Sequence, residues 1–158
     1  MKKARIIFGI AFGLLAVSII IVIVLKFIVP INIGKGFNIR EIEKIKVLDM
    51  KGNQVKLVDL FKKDEVTYCL IFELTNCYSC ISQGIEDLKS LQKSGKSCIG
   101  LVVNNFFMDA AGWFSNNDFS PFAVIRKDDF YENIFSQILP VIVKIKNGEV
   151  QSYRYIIP

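Results

Sequence analysis

Residues 66–80 read VTYCLIFELTNCYSC, and the way this stretch ends decides the fold. Val66 to Leu74 form a near-continuous apolar run with β-branched and aromatic content, the pattern of a central strand buried on both faces. After Cys80 the period changes: Ile81, Ile85, Leu88 and Leu91 recur at helical spacing, and Gly95 follows the last turn. Cys77 and Cys80 thus stand where a buried strand hands over to an amphipathic helix. At a helix N-terminus the unsatisfied N–H groups and the dipole stabilise a thiolate, so Cys77 is expected to have a lowered pKa. Cys80, one turn inside, is near enough to attack a mixed disulfide formed at Cys77. Thiol–disulfide exchange needs these two roles, an exposed nucleophile and a nearby resolving thiol.

Two other uses of a C-x-x-C pair compete with redox chemistry. Zinc needs four ligands, commonly a second such pair or histidines. The chain has no histidine, and Cys69 and Cys98 lie alone in strand patterns, so no metal is expected. A structural Cys77–Cys80 bridge closes so short a loop that it stabilises little. The lack of histidine also excludes Ser-His and Cys-His catalysis. Cys69 and Cys98 read as buried free thiols behaving as small apolar side chains. A bridge between them stays open outside the cytoplasm, because the cysteine count is even.

Moving outward, Ser97 to Val103 is a second buried strand and Pro121 to Arg126 a third. Residues 104–121 hold either one short helix around Phe106 to Phe114 or a loop. Asp128 to Ile138 reads as a short amphipathic helix with Asp128 as its N-cap. Pro140 then precedes VIVKI, an Asn147-Gly148 turn and EVQSYRY, a strong hairpin signal. Upstream, residues 45–61 form an earlier hairpin pattern around Lys51-Gly52-Asn53. Strand–helix–strand units followed by a terminal hairpin imply an α/β sandwich with a mixed central sheet.

The N-terminal end is of another kind. Residues 6–25 are twenty consecutive positions without a charge. As a helix they would be about 30 Å long, the thickness of a bilayer core. Lys2, Lys3 and Arg5 precede them, which keeps that end cytoplasmic and the rest outside. Ala16 and Ser18 offer a cleavage-site alternative, but seven further apolar residues follow, poor context for signal peptidase. Residues 1–29 are therefore expected to be a retained signal anchor, 30–44 a juxtamembrane tether, and 45–158 the folded domain. The net charge of +5 resides entirely in Lys2, Lys3, Arg5, Lys26 and Lys35, and residues 37–158 carry 15 basic and 15 acidic side chains. A nucleic-acid surface needs clustered excess cations, so no nucleic-acid partner is expected.

Together, the anchor, the hairpin LDMKGNQVKLVDL, the strand into CYSC and the segment LPVIVKIKNGEV resemble the thioredoxin fold. In particular they resemble the membrane-anchored TlpA/ResA-like thiol–disulfide oxidoreductases of bacteria, over residues 45–155. The resemblance implies a three-layer α/β sandwich in which Cys77 is the nucleophile, Cys80 the resolving cysteine and Pro140 a cis-proline facing the pair. It places Asn76, Tyr78, Ser79, Leu139 and Pro140 along a substrate groove. Its cofactor is none beyond the redox-active Cys77–Cys80 disulfide.

The chain departs from that pattern at several positions. Asn76 stands where Trp is common, and Ser79 where Pro is common, which alters the reduction potential. Ile71 replaces the buried acid of thioredoxin, and Gln83 the glutamate of TlpA-like proteins, leaving Glu73 and Gln83 as candidate modulators. No terminal helix follows the last strand, so one sheet face is expected to be bare.

The expected function is a membrane-tethered oxidoreductase on the periplasmic or extracellular side of the cell membrane. Its partners would be exported cysteine-containing proteins and a membrane thiol electron donor or acceptor. The alternative is a non-catalytic thioredoxin-like accessory module at the membrane surface. A peroxide-reducing enzyme ranks last, because Leu74 stands where that chemistry needs Ser or Thr.

Overall fold

The computed structural model describes residues 37–39, 41–136 and 138–157. The apolar stretch 6–25, read as a membrane anchor, lies outside them. Among the described residues no helix is long and apolar enough to cross a membrane.

Nine strands and three helices make up the described fold. In chain order they are β1 (Phe37–Ile39), β2 (Lys46–Leu48), β3 (Gln54–Lys56), β4 (Val66–Glu73), α1 (Tyr78–Lys93), β5 (Ser97–Val103), α2 (Phe107–Asn116), β6 (Phe122–Ile125), α3 (Lys127–Asn133), β7 (Ile134–Ser136), β8 (Val141–Lys146) and β9 (Glu149–Tyr155). Seven of the strands form one sheet in the order β3-β2-β6-β5-β4-β8-β9. β4, β5 and β6 run parallel, β8 is antiparallel to β4, and β9 is antiparallel to β8. The sheet is mixed, as the alternation of strand and helix patterns requires.

Parallel strands joined by helical crossovers are covered on both faces, and this sheet follows that rule. One face gathers Leu70, Phe72, Val102 and Val124 beneath Ile81, Ile85 and Leu88 of α1 and Ala110 and Phe114 of α2. The other gathers Cys69, Ile71, Leu101, Ile125 and Val143 against Phe130 of α3, with Ile42 and Leu57 from two 3-10 turns. The result is three layers. At the hairpin between β8 and β9, Asn147 has φ 51 and Gly148 φ 78, the pair of left-handed residues that a two-residue type I′ turn demands.

Three expectations need correction. The helix read as Asp128–Ile138 spans Lys127–Asn133, with Arg126 in the N-cap position and Asp128 in the first turn. Its expected second half is β7, because Ile134, Phe135 and Ser136 find a strand partner in Ile39, Asn38 and Phe37. Tertiary pairing overrides the helical period there. The stretch read as a tether therefore already carries β1 and the 3-10 turn Ile42–Lys44, whose Ile42 is buried.

The sheet face expected to be bare is not an apolar surface. Over β8 and β9 it presents Lys144, Ser152 and Arg154 around the buried Ile142 and Ile156. Arg154 also pairs with Asp87 of α1.

Candidate active site

The eight residues of β4 end at Glu73, and a tight turn then delivers the chain to α1. Asn76 makes that turn: its Oδ1 accepts the Glu73 N–H at 2.7 Å, and its own N–H donates to the Glu73 carbonyl at 3.0 Å. A side chain with both an acceptor and a backbone donor suits a short non-helical link. Asn76, read as a groove residue, is thus engaged in the turn itself and half-buried. Cys77 follows in the N-cap position with non-helical φ −51 and ψ 114. Its carbonyl accepts the first helical hydrogen bond, from Ile81 N–H at 3.0 Å.

Cys77 is exposed and Cys80 buried, and both are free thiols. The Cys77 thiol is lowered to about 7 by hydrogen bonds from the Cys80 thiol and the Ser79 hydroxyl, helped by the backbone N–H groups of the first turn. The Cys80 thiol is raised, because it donates to Cys77 and is buried beside it. Ser79 Oγ lies 3.1 Å from Cys77 Sγ. Tyr78 stands beside the pair with its ring exposed.

Leu139 and Pro140 reach the same end of the sheet from β8. Val141 pairs with Ile71, so the two residues before it lie beside the last residues of β4. The Leu139–Pro140 peptide bond is cis, and the Pro140 carbonyl accepts the Ile156 N–H at 3.0 Å. Pro140 is buried and Leu139 packs partly against the core.

Glu73 is turned inward, but toward α3 and away from α1. Its carboxylate accepts from Lys127 Nζ at 3.3 Å, from Thr75 Oγ1 at 3.2 Å and from the Tyr131 hydroxyl. Burial opposes its charge, and these three donors outweigh burial and hold the carboxyl below the usual range. Gln83 is exposed on α1 and donates to Asp87 Oδ1 at 2.8 Å. The hydrogen bonds described for both candidate modulators run to groups other than the thiols. Lys127, Tyr131 and Thr75 were not singled out in the sequence. A carboxylate closing a buried strand was the one available signal that partners had to exist.

Cys69 and Cys98 sit on adjacent parallel strands but on opposite faces of the sheet. In register, Cys69 is opposite Ile99 and Cys98 opposite Tyr68. Alternation along a strand sends the two thiols apart, which removes the bridge left open by the cysteine count. Burial raises both, Cys98 to about 11.

Several solved structures share this fold. The thioredoxin domain of a thiol-disulfide oxidoreductase from Bacteroides vulgatus superposes with a TM-score of 0.56 at 16% identity, over 75% of this chain and 89% of that one. A thiol:disulfide interchange protein from a Bacteroides species gives 0.55 at 15%, over 78% and 82%. A PrxQ protein from Xylella fastidiosa gives 0.54 at 11%, over 79% and 89%. No protein-family model and no curated protein matches the chain in sequence. The fold is thioredoxin-like, with a C-x-x-C pair opening the first helix after a central strand.

Proposed function

We propose that the chain is a thiol–disulfide oxidoreductase, tethered to the membrane by residues 1–29 and acting on exported cysteine-containing proteins through Cys77 and Cys80. The observation that carries this reading is an exposed thiol lowered to about 7 beside a buried thiol that is raised. At about pH 7 roughly half of such a Cys77 is thiolate, against a few per cent of an ordinary cysteine.

In the reducing direction the Cys77 thiolate attacks one sulfur of a substrate disulfide. A mixed disulfide forms, and the displaced substrate sulfur leaves as a thiolate and takes up a proton. Cys80 then loses its proton and attacks the Cys77 sulfur, expelling the second substrate sulfur. The substrate gains two electrons and two protons, and Cys77 and Cys80 become a disulfide. A resolving thiol that stays protonated while Cys77 is charged does not compete as a nucleophile. The reverse sequence delivers a disulfide to substrate, and the potential of the partner couple sets the direction. A membrane thiol donor or acceptor would return the pair to its starting state.

Replacing Cys80 by Ser removes resolution, so mixed disulfides at Cys77 are expected to accumulate with disulfide-bonded substrate proteins in membrane preparations. Parent protein titrated against glutathione is expected to interconvert between dithiol and disulfide at this pair. A pair whose oxidation state never changes across that titration would sink the proposal.

A further inference from the structure

We infer that Lys46, Lys56 and Arg126 form a docking row for an acidic stretch of the partner polypeptide, close in sequence to the cysteine that meets Cys77. This deepens the oxidoreductase reading above and rests on it. β3, β2 and β6 are neighbours in the sheet. Lys46 lies directly opposite Lys56, and the register that sets Leu48 against Val124 brings Lys46 opposite Arg126. Val47, Val55 and Ile125 pack into the core on the α3 side, so alternation turns these three cations to the face that carries α1 and α2. All three are exposed, one strand separation apart, about 4.8 Å. Like charges directly opposite one another destabilise a sheet. Among the described residues neither lysine has an ion pair, and Arg126 reaches only Asp128, at 3.9 Å and with both side chains in water. Lysine on an edge strand guards against sheet-to-sheet pairing, which accounts for Lys56 of β3 alone. Lys46 lies on an inner strand, where that protection has no use. A row of unbalanced cations fits a partner of opposite charge and steers its approach.

The row points toward the cysteine pair. Ile125 is level with Val103, and Val103 with Glu73, so Arg126 stands at the end of the sheet where β4 hands over to the turn before Cys77. The end of β4 is two strand separations from β6 and four from β3, about 10 and 19 Å. Those distances correspond to roughly three to six residues of extended chain. A polypeptide holds carboxylates at such a spacing from its own cysteine, whereas a phosphate ion or a lipid headgroup has no link to the reacting sulfur.

The test uses the reduced full-length chain in detergent and peptides whose cysteine carries thionitrobenzoate, with glutamates or glutamines at that spacing on either side of it. Cys77 and Cys80 give up two electrons and two protons and form their S–S bond, and the peptide thiol and thionitrobenzoate are released. At low salt the glutamate peptide is expected to react about tenfold faster on one of its two sides, an advantage lost toward about 0.5 M salt. Lys46→Glu combined with Lys56→Glu keeps a like-charge pair in the same place. It is expected to reverse the preference while iodoacetamide alkylation of Cys77 stays unchanged. Equal rates for glutamate and glutamine peptides at low salt overturn the proposal, and so does a preference that survives the double variant. Protection of Lys46 and Lys56 from acetylation by phosphatidylglycerol vesicles, without a glutamate preference, overturns it too and assigns the row to a lipid surface. Failure of the oxidoreductase reading gives a different result: no peptide releases thionitrobenzoate, while carbodiimide still joins a glutamate peptide with serine in place of cysteine to Lys46 or Lys56. Absence of that crosslink overturns the docking row.

Discussion

At Glu73 a carboxylate only 8% exposed is kept charged by a lysine, a tyrosine and a threonine. Its folded pKa is lowered, so its contribution to stability is present above the unfolded value of about 4.3 and is lost as pH falls through the folded value. Glu73→Gln is expected to cost roughly 1–3 kcal/mol at pH 7. The lower end applies because the Lys127 side chain is 40% exposed and screened by water. Urea melts at neutral and acid pH check this: the gap between parent and variant should close in acid, and an undiminished gap would contradict it. The residues of this network span the chain, with Lys127 and Tyr131 lying 54 and 58 positions from Glu73. That separation is why the sequence revealed the carboxylate without Lys127 and Tyr131. Cys77 and Cys80 were legible because everything that defines them, strand, turn and helix, is local.

The same contrast between local signal and tertiary environment governs the helices. A Cβ placed on Gly84 of α1 would lie 2.6 Å from Ile156 Cδ1 and 2.8 Å from Leu70 Cδ1. One on Gly112 of α2 would meet nothing within 4 Å. Intrinsic propensity gives either Gly→Ala change up to about 1 kcal/mol in favour of the helix. At Gly84 overpacking costs about 1–3 kcal/mol and wins, so Gly84→Ala is expected to destabilise while Gly112→Ala stabilises by about 0.5–1 kcal/mol. Thermal melts of the two variants should move in opposite directions, and a stabilised Gly84→Ala would show that α1 can lift from the sheet at no cost. Long elements with a clear period, β4, α1, β5 and the β8–β9 hairpin, were legible. β1 and β7, three residues each, are too short to display a period, and their pairing cut α3 short.

Across the whole molecule, exposed apolar bulk is unevenly spread. Among the described residues the exposed large hydrophobics are Met50, Tyr78, Phe106, Met108, Tyr131, Ile138 and Ile157. All except Met50 belong to α1, α2, α3 or the links at the end of the sheet from which Cys77 departs, since β8 runs toward β4's start and β9 runs back. Phe106 and Met108, at the start of α2, are among those left in water at that end of the sheet. Replacing Phe106 and Met108 by Ser is therefore expected to slow exchange with apolar disulfide peptides severalfold while leaving iodoacetamide alkylation of Cys77 unchanged. Equal slowing of both reactions would instead mean that the site itself was disturbed. The neutral balance of residues 37–158 argued only against a nucleic-acid partner, and which side chains stay outside was not legible, because exposure is decided by packing.

The placement of Cys69 and Cys98 has a consequence for oxidation of the chain itself. Four cysteines admit three complete pairings. The sheet stands between Cys69 and the other face, and Cys98 lies at the far end of β5, five residues or about 16 Å along the strand from the level of Glu73. Mild oxidation of the folded protein is thus expected to yield a single isomer, readable as one bridged peptide by mass spectrometry. By this geometry the folded domain is unable to scramble its own disulfides.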